Sequence, residues 1–194
     1  VYTLIVQQVD MIVLLLIQGT SYETGYRYPK GAGAVSILAG KVIAYLPIFL
    51  AMFAYFFTIG PMIFNMPVYH NLIEISIFAL PYGLAVIFFA VSLSFFARER
   101  EAVLLVVLMT SIPFLIISGF MWPSWMMPEW VVWLSKLIPS TAGISGFVAV
   151  RQLGADIRDI LPQYINLWVL VFGYMITALM AVKWQLKQRN AYEE

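Results

Sequence analysis

The residues of this 194-residue chain that could do chemistry are few, and three of them lie near its start. Gln7, Gln8 and Asp10 interrupt an otherwise apolar first stretch. They are therefore the best candidates for polar side chains that line a path through the interior of the protein. Asp10 either faces a polar cavity or lies near an interface that water reaches. With no Cys and a single His, His70, the chain lacks the residues for disulfides, thiol nucleophiles and the common zinc sites. We therefore do not expect catalysis by this chain.

A nucleotide-binding site can be tested directly from the spacing of glycines. A P-loop needs Gly-x-x-x-x-Gly-Lys followed by Ser or Thr, so that backbone N–H groups surround a phosphate. Gly40 and Lys41 supply the dipeptide, but Val35 stands at the first glycine position and Val42 follows the lysine. No ATP site and no cofactor are expected in this chain, and no basic patch indicates a nucleic-acid partner.

Composition predicts an all-α integral membrane protein. Hydrophobic residues make up 62% of the chain and charged residues 11%, whereas soluble domains carry about 25% charged residues. Four stretches without Asp, Glu, Lys or Arg are long enough to cross a hydrocarbon core of about 30 Å. With the polar-interrupted first segment, they predict one membrane domain over 1-194, with a bundle of five spans at about 1-22, 42-64, 75-97, 102-121 and 160-182.

The placement of Lys and Arg predicts the orientation. If the 23-41 segment is cytoplasmic, so are the short turn at 98-101 and the C-terminal tail. Most of the eleven basic residues then lie on the cytoplasmic side: Arg27, Lys30, Lys41, Arg98, Arg100, Lys183, Lys187 and Arg189. Basic residues favour cytoplasmic loops, so we expect a cytoplasmic C-terminus. The 98-101 segment is either a solvated turn or a second cytoplasmic contact.

The 122-159 region is apolar enough to suggest another crossing, but three residues break it: Pro123, Pro128 and Pro139. The uninterrupted part between them is too short to span a bilayer. We therefore predict a re-entrant or interfacial element on the outer side. It carries four of the six tryptophans, Trp122, Trp125, Trp130 and Trp133. These are expected to anchor the element at the headgroup level, or alternatively to close an exit gate.

The 23-41 segment is the best candidate for a cytoplasmic docking element. A short amphipathic helix there would present Glu23, Arg27, Tyr28 and Lys30 to the cytoplasm. The alternative is a solvated loop that its tyrosines hold at the interface.

Several short motifs occur in one collinear order along the chain: Gly40-Lys41, Ser118-Gly119-Phe120, Pro123, Met127-Pro128, Pro139-Ser140, and Arg151 with Gly154. In this order, after a Glu- and Gly-containing cytoplasmic element, the chain resembles the permease subunits of type 2 ABC exporters. The resemblance covers essentially all 194 residues. Its most specific part runs from Ser118 to Gly154.

The resemblance implies a permease built as a homo- or heterodimer of six-helix halves, of which this chain is a C-terminal membrane-domain fragment. A first helix and a large extracytoplasmic domain would precede Val1. ATP and Mg would bind a separate cytoplasmic ATPase subunit. The coupling helix gripping that subunit would carry Glu23, Gly25, Arg27, Tyr28 and Lys30. The family's Arg-Glu-x-Glu-x-Gly-Thr element is matched here only at Glu23 and Gly25.

The outer gate implied by the resemblance contains Gly119, Phe120, Pro123, Pro128 and Pro139. The expected activity is ATP-driven export of a drug, lipid or other amphiphile across a bacterial inner (plasma) membrane. The alternative is a membrane scaffold or assembly protein without a transport cycle. An enzyme embedded in the membrane would need convergent ionisable residues at membrane depth, and Asp10 and His70 alone support it poorly.

Overall fold

The structure is a computed structural model that describes residues 2–24, 33–63, 72–94, 100–119, 122, 124–156 and 158–191. Within these ranges the regular elements are all helical. They are α1 (Tyr2–Glu23), α2 (Ala34–Ala54), a π-helical turn (Tyr55–Ile59), α3 (Gly60–Ile63), α4 (Leu72–Leu93), α5 (Arg100–Ile117), a 3₁₀ turn (Ser124–Met126), α6 (Glu129–Ser135), α7 (Pro139–Gln152) and α8 (Leu161–Ala191).

Four of these helical stretches are long and apolar enough to cross a membrane: Tyr2–Ser21, Ala34–Ile59, Ile73–Leu93 and Leu161–Lys187. A fifth crossing is reached only if α6 and α7, which meet at an angle of 86°, are counted as one broken span. The predicted all-α membrane bundle is thereby confirmed. The predicted span at 102-121 corresponds to a shorter helix, whose apolar part is Leu105–Ile117.

Two helices extend beyond their predicted bounds. Helix α2 begins at Ala34 rather than at residue 42, and α8 continues to Ala191 rather than ending at residue 182. The sequence predicts that this span begins after Lys41, because a charged residue usually ends a span. In the structure the Lys41 ammonium donates to the side-chain oxygen of Gln18, 2.5 Å away, so the charge is accommodated within the helix.

Prolines lie inside three helices, Pro47 in α2, Pro81 in α4 and Pro113 in α5, without ending them. Where α2 reaches Pro61, the helix widens instead. The N–H of Gly60 donates to the carbonyl of Tyr55, five residues back. Proline has no N–H to continue the usual four-residue pattern, so this π turn carries the helix on to Ile63.

Helices α1 and α4 form the centre of the bundle, whereas α2 and α8 lie at its edge. Of the most apolar window of each helix, 61% is buried in α1 and 67% in α4, against 22% in α2 and 33% in α8. The α2–α4 contact is close because Gly83 leaves room for the Phe49 ring, which a Cβ at Gly83 would meet at 2.5 Å. Small residues let membrane helices approach in this way.

Helices α4 and α8 run parallel along their length. Near their starts, the rings of Phe78 and Tyr164 lie 6.4 Å apart. Further along, the hydroxyls of Ser92 and Thr177 are 2.7 Å apart, and Gln185 donates to the Ser94 hydroxyl at 3.4 Å. Contacts therefore advance in the same direction on both helices.

The outward faces of the bundle are apolar. On α5 an exposed stripe follows helical spacing: Leu105, Leu108, Met109, Ile112 and Ile116. Contiguous exposed apolar surface of this extent is unsuited to water, and it fits the hydrocarbon of a bilayer.

Candidate functional site

One face of α1 carries polar side chains into the interior of the bundle. Thr3, Gln7, Asp10 and Gln18 are spaced by four, three and eight residues, with Leu14 completing the helical period. Each of the four polar residues is at most 6% exposed. We call this face the polar stripe of α1. It places hydrogen-bonding groups at two levels of the bundle, near each end of the helix.

At the first level, the polar stripe meets the bend between α6 and α7. The Gln7 side-chain oxygen accepts a hydrogen bond from the backbone N–H of Ser140 at 2.7 Å. Ser140 is the second residue of α7, and Ile138, at the N-cap position, makes no side-chain cap. Gln7 therefore caps α7 from another helix and satisfies one of the N–H groups that a helix start leaves without a partner.

The carbonyl groups of the same bend are satisfied from α8. The Asn166 amide donates to the Lys136 carbonyl at 3.1 Å, and the Tyr174 hydroxyl donates to the Leu137 carbonyl at 2.6 Å. Irregular backbone at membrane depth is stable only where protein or water supplies its hydrogen bonds. Two spans thus hold the bend through three side chains.

Two glycines seat α7 against α4. A Cβ at Gly143 would come within 2.7 Å of the Tyr82 ring, and one at Gly146 within 2.2 Å of the Phe78 ring. Next to them, the Phe147 ring lies 4.8 Å from Phe78 and 5.6 Å from Tyr82, between ring centroids. Tyr82 also donates its hydroxyl to the Thr3 carbonyl at 2.5 Å. The polar stripe, α4 and α7 therefore form one packed unit.

At the second level, near the far end of α1, buried polar side chains link four elements. Gln18 accepts from Lys41 at the start of α2 and donates to Gln185 of α8 at 3.4 Å. Gln185 in turn donates to Ser94, just after α4. Gln18, Gln185 and Ser94 are at most 3% exposed. We call this chain of Lys41, Gln18, Gln185 and Ser94 the polar clasp.

The tryptophans of the 122–133 region are exposed. Trp125, Trp130 and Trp133 are each at least 68% exposed, and Trp122 is 46% exposed. The Lys136 ammonium lies over the Trp133 ring, 4.1 Å from its centroid, a cation–π contact. An indole surface of this kind is typical of the membrane–water interface.

Comparison with known proteins decides the family. The profile of the ABC-2 family transporter proteins matches residues 26–180, which is most of the chain. The chain belongs to the ABC-2 transporter family. It is also 23% identical over 171 residues to ABC transporter G family member 20 of Dictyostelium discoideum, a match that covers 84% of this chain and 22% of that protein. The chain thus spans about a fifth of that relative's length. No solved structure matches it.

As a member of the ABC-2 family, the chain is a transmembrane component of an ABC transporter, and its predicted site residues can be placed. Gln7, Gln8 and Asp10 are buried on α1, and Gln7 reaches the bend of α7. Among the predicted gate residues, Gly119 follows α5 with a φ of +79°, a conformation that favours glycine. Pro128 is the N-cap of α6, and Pro139 begins α7.

The remaining predicted residues fall partly outside the described residues. Glu23 ends α1 and is exposed. Gly25, Arg27, Tyr28 and Lys30 of the predicted coupling element lie outside the described residues, as do Phe120 and Pro123 of the predicted gate.

Sequence reasoning missed four residues of this ABC-2 protein that the structure brings into the site: Gln18, Asn166, Tyr174 and Gln185. Gln18 had a usable signal, because it continues the helical spacing of Thr3, Gln7 and Asp10 on one face. The three residues of α8 had none, since isolated polar residues on a span do not reveal which backbone group or side chain they meet.

Proposed function

We propose that this chain is the permease part of an ATP-driven ABC exporter, which moves an amphiphile out of the cytoplasm or inner leaflet while a separate subunit hydrolyses ATP. The observation that carries the proposal is the ABC-2 family match over residues 26–180. The named relative, ABC transporter G family member 20, is consistent with it. The second half of the permease is an identical or a related chain.

The parallel run of α4 and α8 supports a re-entrant outer element. If α4 and α8 cross the bilayer in the same direction, the chain between them must return across it an odd number of times. With α5 as that one return, the α6–α7 pair enters and leaves on the same side. The 86° bend and its three side-chain caps suit such a hairpin.

The Lys and Arg distribution supports an outer location for this hairpin and a cytoplasmic location for the polar clasp. Glu23 then ends α1 on the cytoplasmic side, next to the 25–32 segment proposed to contact the ATPase. Gln18 and Gln7 are eleven residues apart on α1, or about 16 Å along the helix axis. Helix α1 thus connects the clasp directly to the cap of α7.

The proposed cycle uses α1 as a rigid element with two positions. In one, the polar clasp is closed and Gln7 caps α7. In the other, a push from the ATPase at the cytoplasmic end shifts α1, and the cap is released. A ligand or nucleotide moves such an equilibrium only if its contacts differ between the two states, and the Gln7–Ser140 hydrogen bond provides one such difference.

Co-purification of the full-length protein from native membranes tests the proposal. We expect an ATPase subunit to accompany it, and charge reversal at Arg27 and Lys30 to weaken that association while leaving the membrane fold intact. The matched control is charge reversal at Arg158, an exposed residue between α7 and α8. Absence of an ATPase under conditions that preserve known complexes would favour a membrane scaffold instead.

A further inference from the structure

Polar atoms without a partner surround the cap of α7. Among the residues that the structure describes, none satisfies the side-chain nitrogen of Gln7, the Ser140 hydroxyl or the Thr141 hydroxyl. Gln7 and Ser140 are both fully buried, at 0% exposure. A buried polar group left without a hydrogen bond is costly, so this grouping calls for a ligand or a functional explanation.

These three groups lie around the first turn of α7. Because the Gln7 oxygen accepts from the Ser140 N–H, the nitrogen of the same amide lies beside the first turn of α7. The hydroxyls of Ser140 and Thr141 belong to that turn. The start of a helix carries partial positive charge, and α7 has no acidic residue in its first turn. Hydrogen-bond donors therefore dominate this side of the site.

An acceptor lies on the same face of α1 as Gln7. Asp10 is on the polar stripe one helical turn after Gln7, about 4.5 Å further along the axis. The carboxylate is 6% exposed, and within the described part of the chain its Oδ2 has no hydrogen-bond partner. The site thus combines donors at α7 with a carboxylate acceptor on α1.

We infer that this α1–α7 site binds a neutral, hydroxyl-bearing headgroup of the exported amphiphile. A hydroxyl accepts from Gln7 or Ser140 through its oxygen and donates to Asp10 through its hydrogen. A carboxylate or a fully ionised phosphate headgroup has no hydrogen to donate to Asp10. A quaternary ammonium would have no acceptor for the donors at α7. The inference rests on the proposed function, because it names the cargo of that permease.

Access to the site requires α7 to move. With Gln7 and Ser140 fully enclosed, a headgroup reaches them only when the hydrogen bond between them is released. The oxygen of the incoming hydroxyl then accepts from the Ser140 N–H, so the released donor keeps a partner. The headgroup therefore binds only the state in which the bend is open.

The experiment uses the complete transporter in lipid nanodiscs with three single-chain amphiphiles of equal tail length: an alkyl glucoside, an alkyl phosphate and an alkyltrimethylammonium. Stimulation of ATP hydrolysis gives the half-saturating concentration of each. The glucoside is expected to stimulate at the lowest concentration. In Ser140→Ala and Gln7→Leu, that concentration should rise about three- to tenfold, the loss of one neutral hydrogen bond.

Ser145→Ala is the matched control, because the exposed Ser145 hydroxyl bonds to carbonyls of its own helix. Gln7→Leu also removes the cap of α7 and can fail to fold, so Ser140→Ala, which leaves the backbone bond in place, decides the matter. Preference for the phosphate or the ammonium, or no change in Ser140→Ala, would overturn the inference and leave a buried water as the partner.

The two proposals fail differently. If no ATPase accompanies the permease, the proposed function is wrong. If ATP hydrolysis is coupled to the permease but responds equally to all three headgroups, only the inference about the cargo is wrong.

Discussion

Gln7 has two structural roles at the residue scale. Its oxygen caps α7, and its buried nitrogen has no hydrogen-bond partner among the residues that the structure describes. A hydrogen bond from one helix to the start of another is both a stabilising contact and a place where the two can separate. A leucine of similar length could have packed there, but it would have left the Ser140 N–H without an acceptor.

Replacing Gln7 by Ala should lower the thermal stability of the purified protein. The expected loss is about 0.5–2 kcal/mol, as for other N-cap substitutions, measured by thermal unfolding in detergent. Thr20→Ala serves as the control on the same helix, because the Thr20 hydroxyl bonds only to the carbonyl of Leu16. Equal stability of Gln7→Ala and Thr20→Ala would contradict the capping role.

Gly146 is a second residue whose type is restricted by packing, because the neighbouring helix leaves no room for a side chain. In Gly146→Ala the new methyl group would meet the buried Phe78 ring. Overpacking of this kind costs about 1–3 kcal/mol, so the unfolding temperature should fall. Gly173→Ala on α8 is the control, since no atom of the described residues lies within 4 Å of its Cβ position. A Gly146→Ala protein as stable as Gly173→Ala would show that α7 sits further from α4.

At the element scale, the α6–α7 hairpin gives the clearest test of topology. Trp125 and Leu153 flank it, and both are exposed. The 194 residues contain no Cys. If the hairpin is re-entrant, Trp125→Cys and Leu153→Cys should both react with a membrane-impermeant maleimide from outside. Lys187→Cys, near the end of α8, should react only after permeabilisation. Labelling of the first two from opposite sides would instead indicate a broken span.

The polar clasp predicts an energetic coupling between α1 and α8. Gln185→Leu leaves the Gln18 amide without its acceptor, and Gln18→Leu also removes the acceptor of Lys41. Each single substitution should therefore lower the free energy of unfolding by more than the loss of its own hydrogen bond. The Gln18→Leu/Gln185→Leu double variant should recover part of that free energy. Polar pairs between membrane helices couple by about 0.6 kcal/mol on average. A double-mutant cycle in thermal unfolding measures this, and strict additivity would exclude the clasp.

The elements were largely predictable from sequence, whereas their contacts were not. Long stretches without charge predicted the apolar helices because a bilayer excludes charge regardless of tertiary structure. Lys41 misplaced the start of α2 because its partner, Gln18, lies on another helix. Pro139 is predicted to break the apolar segment, and it begins α7 after the 86° bend, at a position where the missing N–H costs nothing. The caps from Asn166 and Tyr174 depend on which helices pack together, which one sequence does not reveal.

At the scale of the whole molecule, α1 connects the two polar clusters. It packs against α2, α4, α5 and α7, and its one polar stripe carries Gln18 at one end and Gln7 towards the other. Because both clusters share this rigid helix, a shift of α1 at the proposed ATPase contact would be transmitted to the bend. In the proposed function, ATP hydrolysis by a partner subunit would supply the energy that moves this helix.

In the proposed cycle, ATP in the partner subunit drives the opening of the α7 bend. The most direct measurement places a single cysteine at Ala142, which is 5% exposed in the first half of α7, in the complete transporter reconstituted into liposomes. Labelling of Ala142→Cys from outside should be slow without nucleotide and several-fold faster during ATP hydrolysis, and Gln18→Leu should reduce that increase. Labelling at the same rate with and without ATP, in a complex that hydrolyses ATP, would contradict the account.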